Sequence, residues 1–159
     1  MKVVGLDHVS VSCGDLDRSL AFYAATLGLA IRESGELAGG SSVAITGLAG
    51  LHARFADLEL GGGRTLELVA FISPSGRPLA PELQRPGATH LALAVNDADA
   101  AFAVIGAAGY TLVSSSVTEI DDAGFWQGSR AFYCLDPDGV TVELIERPSR
   151  LTSRSGGSP

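Results

Sequence analysis

Four residues of this chain have the types and spacing to do chemistry together: His8, Glu67, His90 and Glu143. Both glutamates interrupt apolar stretches, Thr65-Leu66-Glu67-Leu68-Val69 and Thr141-Val142-Glu143-Leu144-Ile145, which are near copies 76 positions apart. A charge in the middle of an apolar strand is costly unless something pairs with it. The two histidines lie 82 positions apart in strand-like segments of their own. Side chains alternate across a strand. Parity therefore sets His8 with Ser10 and Ser12 against Val9, Val11 and Cys13, and His90 with Ala92 and Ala94 against Leu91, Leu93 and Val95. Glu67 and Glu143 likewise oppose Leu66 and Leu68, and Val142 and Leu144. Two imidazoles and two carboxylates on such small or polar faces make a mixed nitrogen and oxygen donor set for a divalent metal, with open octahedral positions for water or substrate. Taken singly, a strand histidine is usually a hydrogen-bonded structural residue and a strand glutamate a solvated one. Their equivalence within a repeat tips the balance to a shared metal site.

The repeat extends to the elements that must position these groups. Val3 to Cys13 is predicted as a strand, followed by a helix capped by Asp15 and stopped by Gly28. Strand patterns follow at Leu29 to Glu33, Val43 to Ile45, Leu51 to Leu60 and Arg64 to Ile72, with a Gly/Ser-rich turn at Gly35 to Ser42 and a hairpin turn at Gly61-Gly62-Gly63. After Pro74, Pro78, Pro81 and Pro86 the pattern restarts: strand Ala88 to Val95, helix from Asp97 to Ala108 stopped by Gly109, and strand Tyr110 to Ser114. Val117 to Gln127 is irregular. Strands Arg130 to Leu135 and Val140 to Glu146 flank the turn Asp136-Pro137-Asp138-Gly139. At the histidine spacing, Asp15 falls on Asp97 and Asp17 on Asp99. These elements predict an α+β fold of two tandem βαβββ modules, residues 1–72 and 87–147, joined by a Pro-rich linker, 73–86, with a disordered tail at 148–159. The apolar strand faces suit packing against the helices, and the small, polar faces suit the hollow of a curved, open mixed sheet around a central cavity, helices outside.

Composition narrows the function classes. With 159 residues and 46% hydrophobic content the chain can bury a real core. A net charge of −7 with no Lys/Arg cluster argues against nucleic acid as partner. No segment reads as a signal peptide or membrane span, and Cys13 and Cys134 read as buried thiols of a reducing compartment. The expectation is a cytoplasmic protein acting on a small molecule. Phe125 and Trp126, on a loop between strands, are the substrate-binding candidates. His52 has no repeat counterpart and is read as structural or pocket-lining, and Arg54 as a solvated charge.

The chain resembles the vicinal oxygen chelate superfamily, which includes glyoxalase I, methylmalonyl-CoA epimerase, extradiol dioxygenases and bleomycin resistance proteins. The matching segments are Leu6-Asp7-His8-Val9-Ser10-Val11, Asp15-Leu16-Asp17-Arg18-Ser19 with Phe22-Tyr23, Leu27-Gly28-Leu29, Leu66-Glu67-Leu68, Gly87-Ala88-Thr89-His90-Leu91, and Tyr133-Cys134-Leu135-Asp136-Pro137-Asp138-Gly139 leading into Val142-Glu143-Leu144. The pattern is most similar to glyoxalase I-like and epimerase-like members. That resemblance implies paired modules forming an open barrel, and one divalent ion (Ni, Co, Zn, Mn or Mg) held by His8, Glu67, His90 and Glu143. Chelation of two neighbouring substrate oxygens, with Glu67 or Glu143 shuttling a proton through an enolate-like intermediate, makes a lyase or isomerase. An extradiol-type dioxygenase is the alternative; it requires Fe(II) on His8, His90 and Glu143 alone. A non-catalytic drug-binding or resistance protein is the further alternative. An open sheet edge in each module favours a homodimer.

Overall fold

The computed structural model describes residues 1–78 and 82–148. The expected tail lies, from residue 149 on, outside the described residues, as do positions 79–81 of the linker. The chain divides into two compact units, Met1–Leu79 and Ala80–Pro159.

In the first unit, strand β1 (His8–Cys13) leads into helix α1 (Leu16–Leu20). The cap is the expected one: the Asp15 carboxylate accepts hydrogen bonds from the Asp17 and Arg18 backbone N–H groups at 2.9 and 3.2 Å, which satisfies donors the first turn leaves open. The helix does not stay α-helical. Ala21–Thr26 is a π-helical stretch in which Leu27 N–H donates to the Phe22 carbonyl five residues back. The wider turn shifts the buried face, so Leu16, Ser19, Phe22 and Tyr23 point inward while Leu20, Ala24 and Leu27 are only partly covered. Gly28 then closes the segment at φ 78°, a left-handed conformation that suits glycine.

Three more strands complete the sheet: β2 (Ile31–Ala38), β3 (His52–Glu59) and β4 (Thr65–Ser73), in the order β1-β4-β3-β2. Strand β1 runs parallel to β4, and the other neighbours are antiparallel. Two local expectations fail here. The strand starting near Leu29 continues through Gly35 to Ala38, because pairing along β3 supplies its backbone bonds. Val43 to Ile45 belongs to a short helix, α2 (Gly40–Thr46), rather than a strand. Three apolar residues cannot distinguish the two periods. Packing decides: Val43 and Leu48 seat against the buried Leu51, Ala53 and Val69.

The second unit repeats the plan with β5 (His90–Val95), α3 (Ala98–Ala107), β6 (Thr118–Glu119), β7 (Arg130–Leu135) and β8 (Thr141–Glu146), ordered β5-β8-β7-β6. Asp97 caps α3 through the Ala100 N–H, and Glu146 on β8 accepts the Ala98 N–H, both at 2.9 Å. Tyr110 to Ser114 forms a single bridge, Leu112 with Cys134, instead of a full strand. The ladder position is taken up further along by Thr118 and Glu119 inside the stretch expected to be irregular.

The architecture is therefore α+β, with two open four-stranded mixed sheets. Helices α1 and α3 are tied to their sheets by equivalent ion pairs. Arg54 of β3 donates to both carboxylate oxygens of Asp17 at 3.1 and 3.3 Å. Arg130 of β7 reaches Asp99 at 2.8 and 2.9 Å. Arg54 and Arg130 are 76 positions apart and Asp17 and Asp99 are 82 apart, the spacings of the glutamates and histidines. Among the described residues, no helix is long and apolar enough to cross a membrane.

Cys134 illustrates how tightly the second sheet closes. It is fully buried, its thiol donates to the Val142 carbonyl at 3.6 Å, and burial pushes its pKa up to about 12. Only the thiolate reacts with alkylating agents. At pH 8 Cys134 should resist iodoacetamide in the folded protein at least about 100-fold longer than in urea. Mass spectrometry of the alkylated chain checks this.

Candidate metal centre

Register brings the histidines and glutamates together in the same way twice. In the parallel pair β1/β4, His8 lies opposite Thr65 and Ser10 opposite Glu67. In β5/β8, His90 lies opposite Thr141 and Ala92 opposite Glu143. Each histidine is thus diagonal to its glutamate on one sheet face. Burial follows the parity: Val11, Cys13, Leu66 and Leu68 are buried, while His8, Ser10 and Ser12 are exposed and Glu67 is half-buried.

In the first unit Asp7, His8, Asp57, Thr65 and Glu67 line a recess of about 220 Å³. His8 pairs through Nδ1 with the Asp7 carboxylate at 2.7 Å, which leaves Nε2 for a ligand role. That hydrogen bond, with the charges of Glu67, Asp7 and Asp57, raises the His8 pKa against the opposing effect of burial. Asp57 was not legible as a site residue, yet β3 places it directly opposite Glu67. Its carboxyl pKa is raised, first by burial and then by the negative charges of Glu67 and Glu33. A signal existed: Asp57 and Glu67 are equidistant from Gly62 at the hairpin turn. Arg32 sits at an irregularity in the β2/β3 register, between Ile31 and Glu33, and donates to the Thr65 hydroxyl at 3.4 Å. Bulges commonly re-aim a side chain in this way.

In the second unit His90 Nε2 is 3.3 Å from a Glu143 oxygen, with the side chains 41% and 15% exposed. Tyr133 takes the place that Asp57 holds in the first unit, directly across from Glu143. Its ring meets His90 edge-to-face at 5.6 Å. Burial and then the Glu143 charge raise its hydroxyl pKa. The repeat thus holds for histidine and glutamate and breaks at the cross-strand partner, aspartate in one unit and tyrosine in the other.

An imidazole nitrogen and a carboxylate oxygen are donor types that suit a divalent ion, and in the second unit His90 and Glu143 stand 3.3 Å apart. Among the described residues no three His, Cys, Asp or Glu side chains converge as a ready-made cation cage; the first unit sets one imidazole near the Asp7, Asp57 and Glu67 carboxylates, and the second sets one imidazole beside the Glu143 carboxylate alone. The remaining candidates lie elsewhere. His52 pairs with Glu36 across β2/β3 at 3.1 Å, and the Arg54 charge is engaged by Asp17. Phe125 and Trp126 are on the loop between β6 and β7, 68% and 47% exposed, in contact with each other and with Arg147.

Known proteins share the fold that carries these residues. The family described as the Glyoxalase/Bleomycin resistance protein/Dioxygenase superfamily matches residues 5–144. A 2-epi-5-epi-valiolone epimerase from Actinomyces sp. is 32% identical over 149 residues, which covers 92% of this chain and 81% of that protein. A glyoxalase family protein from Bacillus cereus superposes with a TM-score of 0.80 at 21% identity, over 92% of this chain and 96% of that one. Glyoxalase I from Zea mays superposes with a TM-score of 0.63 at 19% identity, over 89% of this chain and 44% of that one. At those identities the structural matches speak for the fold. The chain belongs to the glyoxalase/bleomycin resistance protein/dioxygenase superfamily.

Proposed function

We propose that the two half-sites, His8 with Glu67 and His90 with Glu143, hold one divalent metal ion and that the protein is a proton-transferring isomerase or lyase of small oxygenated substrates. The ion would supply Lewis acidity, making a C–H beside two chelated oxygens easier to ionise. The single observation that carries the proton-transfer reading is the Asp57–Glu67 cross-strand pair. It adds to the ligand set a half-buried carboxylate that has no ligand role in it, with its pKa raised by burial and neighbouring charge. An extradiol-type dioxygenase needs neither Glu67 nor Asp57.

Epimerisation removes a proton from one face of a carbon and returns one to the other. The carboxylates available for that task are Asp57 beside Glu67, and Glu143. Asp7 holds the His8 ring through Nδ1, and Tyr133 packs on the edge of His90, so both imidazoles are oriented before substrate binds. The similarity to a protein named as an epimerase supports the same class. A homodimer in the cytoplasm completes the proposal.

The test is metal analysis of protein purified without chelator, joined to C–H exchange in D₂O with a panel of small α-oxygenated carbonyl compounds. The expected result is about one divalent ion per chain and metal-dependent deuterium incorporation. Glu67→Gln should weaken metal affinity by at least about 10–100-fold, the loss typical of removing even a group that only orients a metal ligand. Oxygen consumption with a catechol and no exchange would move the protein to the dioxygenases. Tight ligand binding by metal-free protein, again with no exchange, would make it a binding protein.

A further inference from the structure

Arg147 follows directly after β8, and alternation separates it from Glu146, which faces α3 through the Ala98 N–H. It therefore shares the parity of Glu143, four residues and about 13 Å back along the strand. Its surroundings are unusual for an arginine of this acidic chain. Arg54, Arg85 and Arg130 each meet a carboxylate. Arg147 instead lies over two aromatic rings, 3.6 Å from the Trp126 ring centroid and 4.6 Å from that of Phe125. One of its N–H groups donates to the Phe125 carbonyl at 3.2 Å. The two rings are themselves locked edge-to-face at 4.9 Å.

The loop that carries the rings is held at its base. Ile120 N–H donates to the Ser129 carbonyl and Gly128 N–H to the Ile120 carbonyl, both at 2.8 Å, and Ser129 N–H donates to the Trp126 carbonyl at 2.9 Å. Aromatic faces and a neutral carbonyl immobilise a guanidinium without cancelling its charge. The planar fork keeps further N–H donors in fixed directions, the arrangement that recognises carboxylate and phosphoryl oxygens in two-point fashion.

We propose that Arg147, fixed by Phe125 and Trp126, binds an oxyanion group, carboxylate or phosphoryl, carried by the ligand on the Glu143 side of the second sheet. It rests on the proposed function only in taking that ligand to be the substrate; the anion site itself is tested without metal. Trp126 is the single tryptophan of the chain, so tryptophan fluorescence reports on the side chain that Arg147 covers. The metal-free, full-length protein is titrated with inorganic phosphate, and separately with acetate, at constant ionic strength.

The expected result is a saturable change in Trp126 emission, weakened at least about tenfold in Arg147→Gln, the loss expected when a charge-assisted hydrogen bond worth about 1.5–3 kcal/mol is removed. Arg147→Lys, which keeps the charge but not the fork, should fall between. The phosphate and acetate arms decide which oxyanion is preferred. No saturable change in the unaltered protein overturns the proposal. So does a titration unchanged in Arg147→Gln, which would leave Arg147 as a pin for the loop. If Arg147→Gln fails to fold by circular dichroism, the Arg147 Nε–H resonance of the unaltered protein is followed instead: saturable movement supports the site, and none overturns it.

Discussion

Asp57→Asn should lower the rate of substrate C–H exchange by about 10²–10⁴-fold, the usual contribution of a positioned general acid or base, while metal affinity changes no more than a few-fold. The separation follows from geometry. Glu67 lies diagonal to His8, the relation that Glu143 bears to His90, and these four form the proposed ligand set. Asp57 lies across from Glu67 on the next strand and its equivalent in the second unit is Tyr133, which makes it a poor common ligand. Asparagine keeps the size and hydrogen-bonding edge of the side chain and removes only its ability to take a proton. Stability supplies an internal control. A carboxyl pKa raised on folding favours the native state below the ordinary aspartate range, and that benefit is lost as pH rises through the folded value. In metal-free protein near neutral pH, Asp57→Asn therefore removes an unfavourable charge beside Glu67 and should raise the unfolding temperature slightly. Slower exchange with equal or higher stability identifies a group kept for chemistry. A fall in both would make Asp57 structural.

The repeated register that sets each histidine diagonal to its glutamate was legible because a repeat doubles every signal. One histidine in a strand says little; His8 and His90 at matched register say more, and Glu67 and Glu143 share that register. Asp57 was illegible for the opposite reason. It belongs to a position where the repeat breaks, and nothing in Ala56-Asp57-Leu58 itself distinguishes a site carboxylate from a solvated one; its one signal lies outside that stretch, in the equal distance of Asp57 and Glu67 from the Gly62 turn. Arg147 carries no such signal, because its partners, Phe125 and Trp126, lie about twenty positions away on a loop without periodicity. Arg54 shows the converse: its pairing with Asp17 emerges only when strand β3 is laid beside helix α1, although Arg130 with Asp99 repeats it.

The fold was legible where backbone bonding and side-chain pattern agree. Asp15 and Asp97 cap their helices, Gly28 and Gly109 follow the helix ends with positive φ, and β7 spans Arg130–Leu135 as its pattern predicts. Where the two disagree, tertiary context wins. Strand β2 is exposed nearly throughout and is held by its ladder to β3, so its hydrophobic pattern carries no signal. Helix α2 contains β-branched Val43 and Ile45, yet packing of Val43 against the Leu51, Ala53 and Val69 cluster selects the helix. The π-helical turn is the subtlest case, since one extra residue per turn leaves the apolar residues in place and changes only which of them face the sheet.

That turn makes the largest stability prediction. Phe22 is fully buried and meets Tyr23 edge-to-face at 4.8 Å, a contact of adjacent residues that the widened turn accommodates with both rings inward. Phe22→Ala removes the ring and leaves a cavity, at a cost of about 3–5 kcal/mol. Against a total stability of roughly 5–15 kcal/mol, that is enough to make unfolding visible at moderate urea. The midpoint of urea unfolding should fall sharply with little change in slope, because the surface exposed on unfolding is nearly the same. Val104→Ala, at a half-exposed position of α3, is the control: it should stay within about 0.5 kcal/mol. If Phe22→Ala cost no more than that control, the π-helical turn would not be holding the first helix to its sheet. The fixed position of β1, and with it His8, would then rest on the β4 ladder alone.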